Sequence, residues 1–175
     1  VLKKITLGIS GSIAAYKSIE LARSLKNDGF GINIVLSKFA HTFVSVLTLK
    51  SLFPGSVYGC AASLGDNDEM LHISLANSVD CILIAPASAN IIAKLASGTA
   101  SCLLSSLCLA AQVPIILAPA MNASMWNNRF VQRNIDILKQ NNIQIIGPVI
   151  GIQACGATGI GRMLDIDQII EHINL

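Results

Sequence analysis

Charge is scarce in this sequence: Asp, Glu, Lys and Arg make up 13% of 175 residues, where soluble domains average about 25%. The 12 basic and 10 acidic residues leave a net charge of +2. They are scattered, with no basic cluster and no charged tail, which argues against nucleic acid as a partner. Zinc spacings such as C-x-x-C are missing among the five cysteines, Cys60, Cys81, Cys102, Cys108 and Cys155, so no metal site is expected. Two nucleotide signatures are missing as well. There is no G-x-G-x-x-G, and the second apolar run ends in Ser37-Lys38 without the carboxylate that a ribose diol needs. Nor is there a G-x-x-x-x-G-K-[ST] loop, because Lys17-Ser18 follow Tyr16 well inside a helical pattern.

No signal-peptide pattern is visible, so reduced thiols and a cytoplasmic location are expected. Val1 at the start suggests that a short N-terminal piece is missing. The longest uncharged run, Leu95 to Asn128, is interrupted by Gln112, Pro114 and Pro119. It reads as a buried helix and a buried strand, not a membrane span, and no membrane partner is expected.

Apolar residues are abundant, at 53%. A chain of this length is expected to form one domain, residues 1–175, burying roughly two-thirds of its unfolded surface. With so little charge, a compact monomer would leave apolar surface in water, and a homo-oligomer is expected.

Apolar runs alternate with helical stretches throughout. Strands are expected at 4–10, 31–37, 79–86, 114–120 and 143–148. Helices are expected at 12–29, closed by Gly29, then 38–50, from about His72, at about 88–97 and 101–111, at 124–141 and at 166–173. Pro54-Gly55 breaks the pattern, and 55–70 is the least legible stretch. Repeated β-α-β units with continuously apolar strands imply an α/β fold with a parallel sheet covered on both faces.

Ligands of such sheets sit beyond the carboxyl ends of the strands. Those ends read GISGS, SKF, PASAN, PAMN and GIQACG, mostly small or amide-bearing and none acidic. In GISGSIAAYKS, Gly8 and Gly11 allow close backbone approach and Ser12 opens a helix, which suits an anion. Small residues there serve tight strand-to-helix packing equally well. PASAN (86–90) and PAMNASMW (119–126) share one design, in which a strand ends in proline, then small residues, then an asparagine. Asn90 and Asn122 offer both donor and acceptor to a substrate, or they cap helices. His41 and His172 read as structural, and His72 gains interest only from the loops around it. Cys155, in GIQACGATGIGRM (151–163), is surrounded by residues too small to bury it, unlike the other four cysteines, which read as small hydrophobes.

Three separated stretches, HISLANSVDCILIAPASAN, PAMNASMW and ACGATGIGRM, together resemble the flavin-dependent cysteine decarboxylases in order and spacing. The resemblance covers nearly the whole chain. It implies a flavodoxin-like (Rossmann-like) fold, bound FMN, and trimers whose sites lie between subunits. The activity it implies is decarboxylation of 4′-phosphopantothenoylcysteine to 4′-phosphopantetheine in coenzyme A biosynthesis, by a stand-alone enzyme or by one domain of a bifunctional protein.

Carried over by position, Gly11, Ser12, Ile13, Ser37, Lys38, Phe39, Ser88, Ala89, Asn90, Ile91 and Ala120 would hold FMN. Asn90, Met121, Asn122 and Ala154 would contact substrate. His72 would be the base, Asn90 would contact the reacting intermediate, and Cys155 would be the acid. Family members that act on a peptide's C-terminal cysteine stop at an unsaturated thiol and lack this cysteine. Two other readings are a regulatory flavin-binding relative without turnover, which His72 and Cys155 together disfavour, and a flavin prenyltransferase, which PAMNASMW and ACG fit poorly. The chain departs from the family at Ser101-Cys102, where one or two polar, often acidic, residues are usual.

Overall fold

The computed structural model describes residues 3–59 and 70–173. Cys60 and most of the stretch that the sequence left least legible lie outside the described residues.

Alternating β-α units build a six-stranded parallel sheet: β1 (Lys4–Ile9), β2 (Gly31–Leu36), β3 (Val57–Tyr58), β4 (Cys81–Ala87), β5 (Ile115–Pro119) and β6 (Gln144–Ile145). The spatial order is β3-β2-β1-β4-β5-β6. Apart from the two-residue edge strand β3, this is the 2-1-3-4-5 order of a flavodoxin-like sheet, with its switch point between β1 and β4. In β4 every residue is buried, as expected for a strand covered on both faces.

One face of the sheet packs Ile5, Leu7 and Ile9 against Leu21 and Leu25 of α1 (Lys17–Asn27) and Ile169 of the C-terminal helix Ile166–Ile173. The other face packs Val35, Ile82 and Ile84 against helices that include α3 (Leu71–Asn77) and α5 (Leu103–Ala110), after the short α2 (Val46–Leu52). Gly8 belongs to this packing, because a Cβ there would lie 2.7 Å from Leu104 Cδ1. Its smallness serves the helix-to-strand contact.

Several expected elements are subdivided. The expected helix 12–29 starts as a 3-10 turn, Ile13–Tyr16, before α1. The expected helix 38–50 is a 3-10 turn, Lys38–Thr42, followed by α2. After α4 (Ala89–Ala96), α5 and β5, the expected helix 124–141 is split into α6 (Ala123–Trp126) and α7 (Arg129–Gln140). The split comes where Asn128 accepts from the Phe130 N–H and caps α7.

The largest correction concerns GIQACG, which was expected at the end of a parallel strand. The parallel strand stops at Ile145, and residues that follow form an antiparallel hairpin of β7 (Val149–Ile152) and β8 (Thr158–Arg162) before α8 (Ile166–Ile173). Gly147, at φ +72°, turns the chain out of the sheet. The hairpin closes with a three-residue loop: Gly156 N–H donates to Gln153 O at 2.8 Å, and Gln153 N–H donates to Ala157 O at 2.9 Å. Gly156 takes the left-handed position of that loop at φ +83°.

Candidate functional site

The switch point opens into a cavity of about 640 Å³, within the roughly 300–1,000 Å³ usual for ligand sites. Three of its walls come from the strand-end loops: Gly11 to Ala14 after β1, Ser88 and Ala89 after β4, and Ala120 to Asn122 after β5. The fourth is the hairpin, through Ile152 to Cys155 and Gly161 to Met163.

Serine hydrogen bonds fix the loops to one another. Ser10 Oγ donates to Pro86 O at 2.7 Å and accepts from the Ser88 N–H at 2.8 Å. Ser12 Oγ donates to Ala120 O and accepts from the Ala14 N–H, both at 3.3 Å. Ser88 caps α4 by accepting from the Ile91 N–H, so the helix start does not need Asn90, which stands exposed in the first turn. Asn122 does cap α6, accepting from the Ser124 N–H at 2.8 Å. With its oxygen so engaged, its Nδ2 faces the hairpin.

There Asn122 Nδ2 donates to Gln153 Oε1 at 3.0 Å and lies 3.6 Å from Cys155 Sγ. Cys155, at the exposed hairpin loop, thereby faces the cavity beside the PAMN turn. The glycines of the run fit this docking. A Cβ on Gly159 would lie 2.7 Å from Ala123 Cβ, and one on Gly161 would strike Met121 O. Met121 N–H donates to Gly161 O at 3.0 Å, closing the contact.

Among the described residues no carboxylate lines the cavity, whereas Lys17 and Arg162 both do. One carboxylate, Asp165, serves the pair from outside, 3.7 Å from Lys17 Nζ and 2.9 Å from Arg162 Nη2. Arg162 Nε is buried and has no hydrogen-bond partner among the described residues. Among the described residues, two cations against one carboxylate leave the cavity wall positive and suited to an anionic ligand.

Of the residues expected to hold a cofactor, Gly11, Ser12, Ile13, Ser88, Ala89 and Ala120 line this cavity. So do the substrate candidates Met121, Asn122 and Ala154, and the acid candidate Cys155. Ser37, Lys38, Phe39, Asn90, Ile91 and His72 do not line it within one chain. Phe39 stands next to it: a Cβ on Gly11 would lie 2.7 Å from the Phe39 side chain, which is 63% exposed. His72 lies in the first turn of α3, half-buried. Gln153, Lys17 and Arg162 were not singled out from the sequence. Gln153 had one available signal, as the sole side chain in GIQACG able both to donate and to accept through an amide.

The other described cysteines differ from Cys155. Burial, reinforced by the Asp80 charge, pushes the Cys81 thiol up to about 11. Burial, with a smaller contribution from Cys102, pushes Cys108 up to about 12. Cys102 starts α5, where its N–H donates to Ser105 Oγ at 3.2 Å. The departure at Ser101-Cys102 therefore falls at a helix cap and not in the cavity lining.

Comparisons with known proteins match nearly the whole chain. A family model described as Flavoprotein matches residues 2–174. The coenzyme A biosynthesis bifunctional protein CoaBC of Haemophilus influenzae is 44% identical over 172 residues, covering 98% of this chain and 43% of that protein. The chain thus spans less than half the length of that relative. A probable phosphopantothenoylcysteine decarboxylase of Streptococcus mutans is 41% identical over 173 residues, covering 98% of this chain and 97% of that protein. A solved structure of a PPC decarboxylase mutant complexed with pantothenoylaminoethenethiol superposes with a TM-score of 0.87 at 30% identity, covering 99% of this chain and 97% of that one. The FMN-binding protein AtHal3 superposes with a TM-score of 0.85 at 30% identity, covering 99% and 95%.

Proposed function

The chain belongs to the Flavoprotein family, and from that premise we propose that it is an FMN-dependent decarboxylase of coenzyme A biosynthesis. It converts 4′-phosphopantothenoylcysteine to 4′-phosphopantetheine and carbon dioxide. The observation that carries this reading is the thiol of Cys155, placed on the cavity wall beside Asn122 and within reach of its amide.

The cavity fits FMN on its own terms. Among the described residues its lining has no carboxylate to repel a phosphate, and it has Gly11 and Ala89 in its wall, two cations, and on one of them, Arg162, a buried Nε–H without a described partner. Gly11, Ser12, Ile13, Ser88, Ala89 and Ala120 would hold the cofactor, as would Ser37, Lys38, Phe39, Asn90 and Ile91. Purified protein is expected to be yellow with one FMN per chain. Absorbance near 450 nm checks this, and a colourless preparation that takes up no added FMN would contradict it.

A cysteine carboxylate does not leave readily as carbon dioxide, because the electrons released have nowhere to go. When bound, FMN supplies the missing sink by accepting hydride from the substrate's CH2–S carbon and later returning it. The protein's own work is proton handling and placement. His72 is the general base that takes the thiol proton. The resulting thioaldehyde stands to the carboxylate as the carbonyl of a β-keto acid does, so carbon dioxide leaves and an enethiolate remains. Asn90 contacts this reacting intermediate, while Met121, Asn122 and Ala154 contact the rest of the substrate. Cys155 is the general acid that protonates the adjacent carbon.

His72 lies outside the cavity lining of its own chain, which fits a site completed by a neighbouring copy. The exposed apolar side chains Phe39, Phe43, Leu47 and Leu52 offer surface for such an assembly. The protein is proposed to act in the cytoplasm as a homotrimer or multiple of trimers. Co-expressing His72→Asn and Cys155→Ser chains tests the shared site. Random mixing should restore about a quarter of the sites in a ring where each site draws on two copies, and no restoration would place both residues in one chain's site.

A further inference from the structure

We infer that Gln153 is a positioning residue that locks Asn122 and the Cys155 thiol into one unit, and so sets where the final proton is delivered; this rests on the decarboxylase reading above. The amide of Gln153 is fixed at both ends. Its Oε1 accepts from Asn122 Nδ2 at 3.0 Å and from the Ala123 N–H at 3.1 Å. Its Nε2 donates to Ile160 O at 3.5 Å across the hairpin. Turning the amide over would set an NH2 group against two N–H donors, so the orientation is determined by its partners.

That one oxygen joins three parts of the fold. Asn122 has already committed its own oxygen to the Ser124 N–H, so its NH2 group is the only end left for Gln153 and Cys155. Cys155 Sγ lies 3.6 Å from that NH2 group and 4.0 Å from Gln153 Oε1. The loop carrying the thiol is exposed and built from Ala154, Cys155 and Gly156, so its own side chains provide no packing to hold sulfur in place. The tether to the PAMN turn runs through Gln153, which immediately precedes the loop.

The oxygen is the part that matters, which separates this role from simple space filling. Gln153→Met keeps the length and removes both polar ends, whereas Gln153→Glu keeps an acceptor for Asn122 and Ala123. In single-turnover reactions of the FMN-loaded protein, Gln153→Met should still release carbon dioxide but raise the ratio of unsaturated to saturated thiol about tenfold, the size expected for loss of one or two hydrogen bonds. Gln153→Glu should recover most of the parent ratio. Amide hydrogen exchange of residues 149–162, read without substrate, should quicken by a similar factor in Gln153→Met and return towards the parent in Gln153→Glu.

Equal product ratios in all three proteins, or equal shifts in both variants, would overturn the inference. If the parent itself released no carbon dioxide, the decarboxylase reading would fail separately, and the exchange measurement alone would decide whether Gln153 tethers the loop.

Discussion

Replacing Cys155 by Ser should separate carbon dioxide release from product completion. The early steps need a base and bound FMN, neither of which the substitution touches, so carbon dioxide should still appear at a rate within about tenfold of the parent. The hydroxyl of Ser is a far weaker acid than a thiol, and final protonation should slow by about 10²–10⁴, the usual worth of a positioned acid. The variant should therefore accumulate an unsaturated thiol two hydrogens lighter than 4′-phosphopantetheine. Mass analysis of a single turnover distinguishes the two products directly. Saturated product formed at the parent rate would remove Cys155 from the role of acid. Its place beside Asn122 would then be a matter of loop geometry.

Replacing His72 by Asn should stop the reaction at its first step. Asn keeps a polar side chain of similar reach but cannot take up a proton at neutral pH, so the substrate thiol stays protonated and hydride has no reason to leave the neighbouring carbon. The expected loss is about 10²–10⁴ in rate. The flavin spectrum should remain oxidised in the presence of substrate, and neither carbon dioxide nor unsaturated thiol should form. Cys155→Ser and His72→Asn thus fail on opposite sides of decarboxylation. Bleaching of the flavin by substrate in His72→Asn would show that another group serves as the base.

The parts of the molecule that were legible in the sequence are those where burial dictates composition. KITLGIS, VDCILIAP and PIILAPA lie in the middle of the sheet with both faces covered, and continuous apolar character specifies little else. Their loops were legible for a related reason: they end at the switch point, where the sheet's geometry places ligands.

The hairpin was not legible, because its glycines imitate a disordered loop. Gly151 is small because the Arg162 side chain lies across it, with Cδ 2.9 Å from where a Cβ would be. Gly159 and Gly161 are small because the PAMN turn and the start of α6 press against them. Nothing local in GIQACGATGIGRM announces Met121 and Ala123, the neighbours of Gly161 and Gly159, which come from the turn after β5. Gln153 was missed on the same ground, since its partners are set by docking and not by spacing. Asn90 and Asn122 looked alike as candidate caps, and only the structure separates them, with Ser88 taking the cap at one site and Asn122 at the other.

The most direct test of the account is a product analysis of the unaltered protein. Incubated with FMN and 4′-phosphopantothenoylcysteine under anaerobic conditions, it should release one carbon dioxide and form one saturated 4′-phosphopantetheine per substrate consumed, with the flavin oxidised at the end and no external electron acceptor required. Failure to release carbon dioxide from a flavin-loaded protein, or accumulation of the unsaturated thiol as its final product, would contradict it.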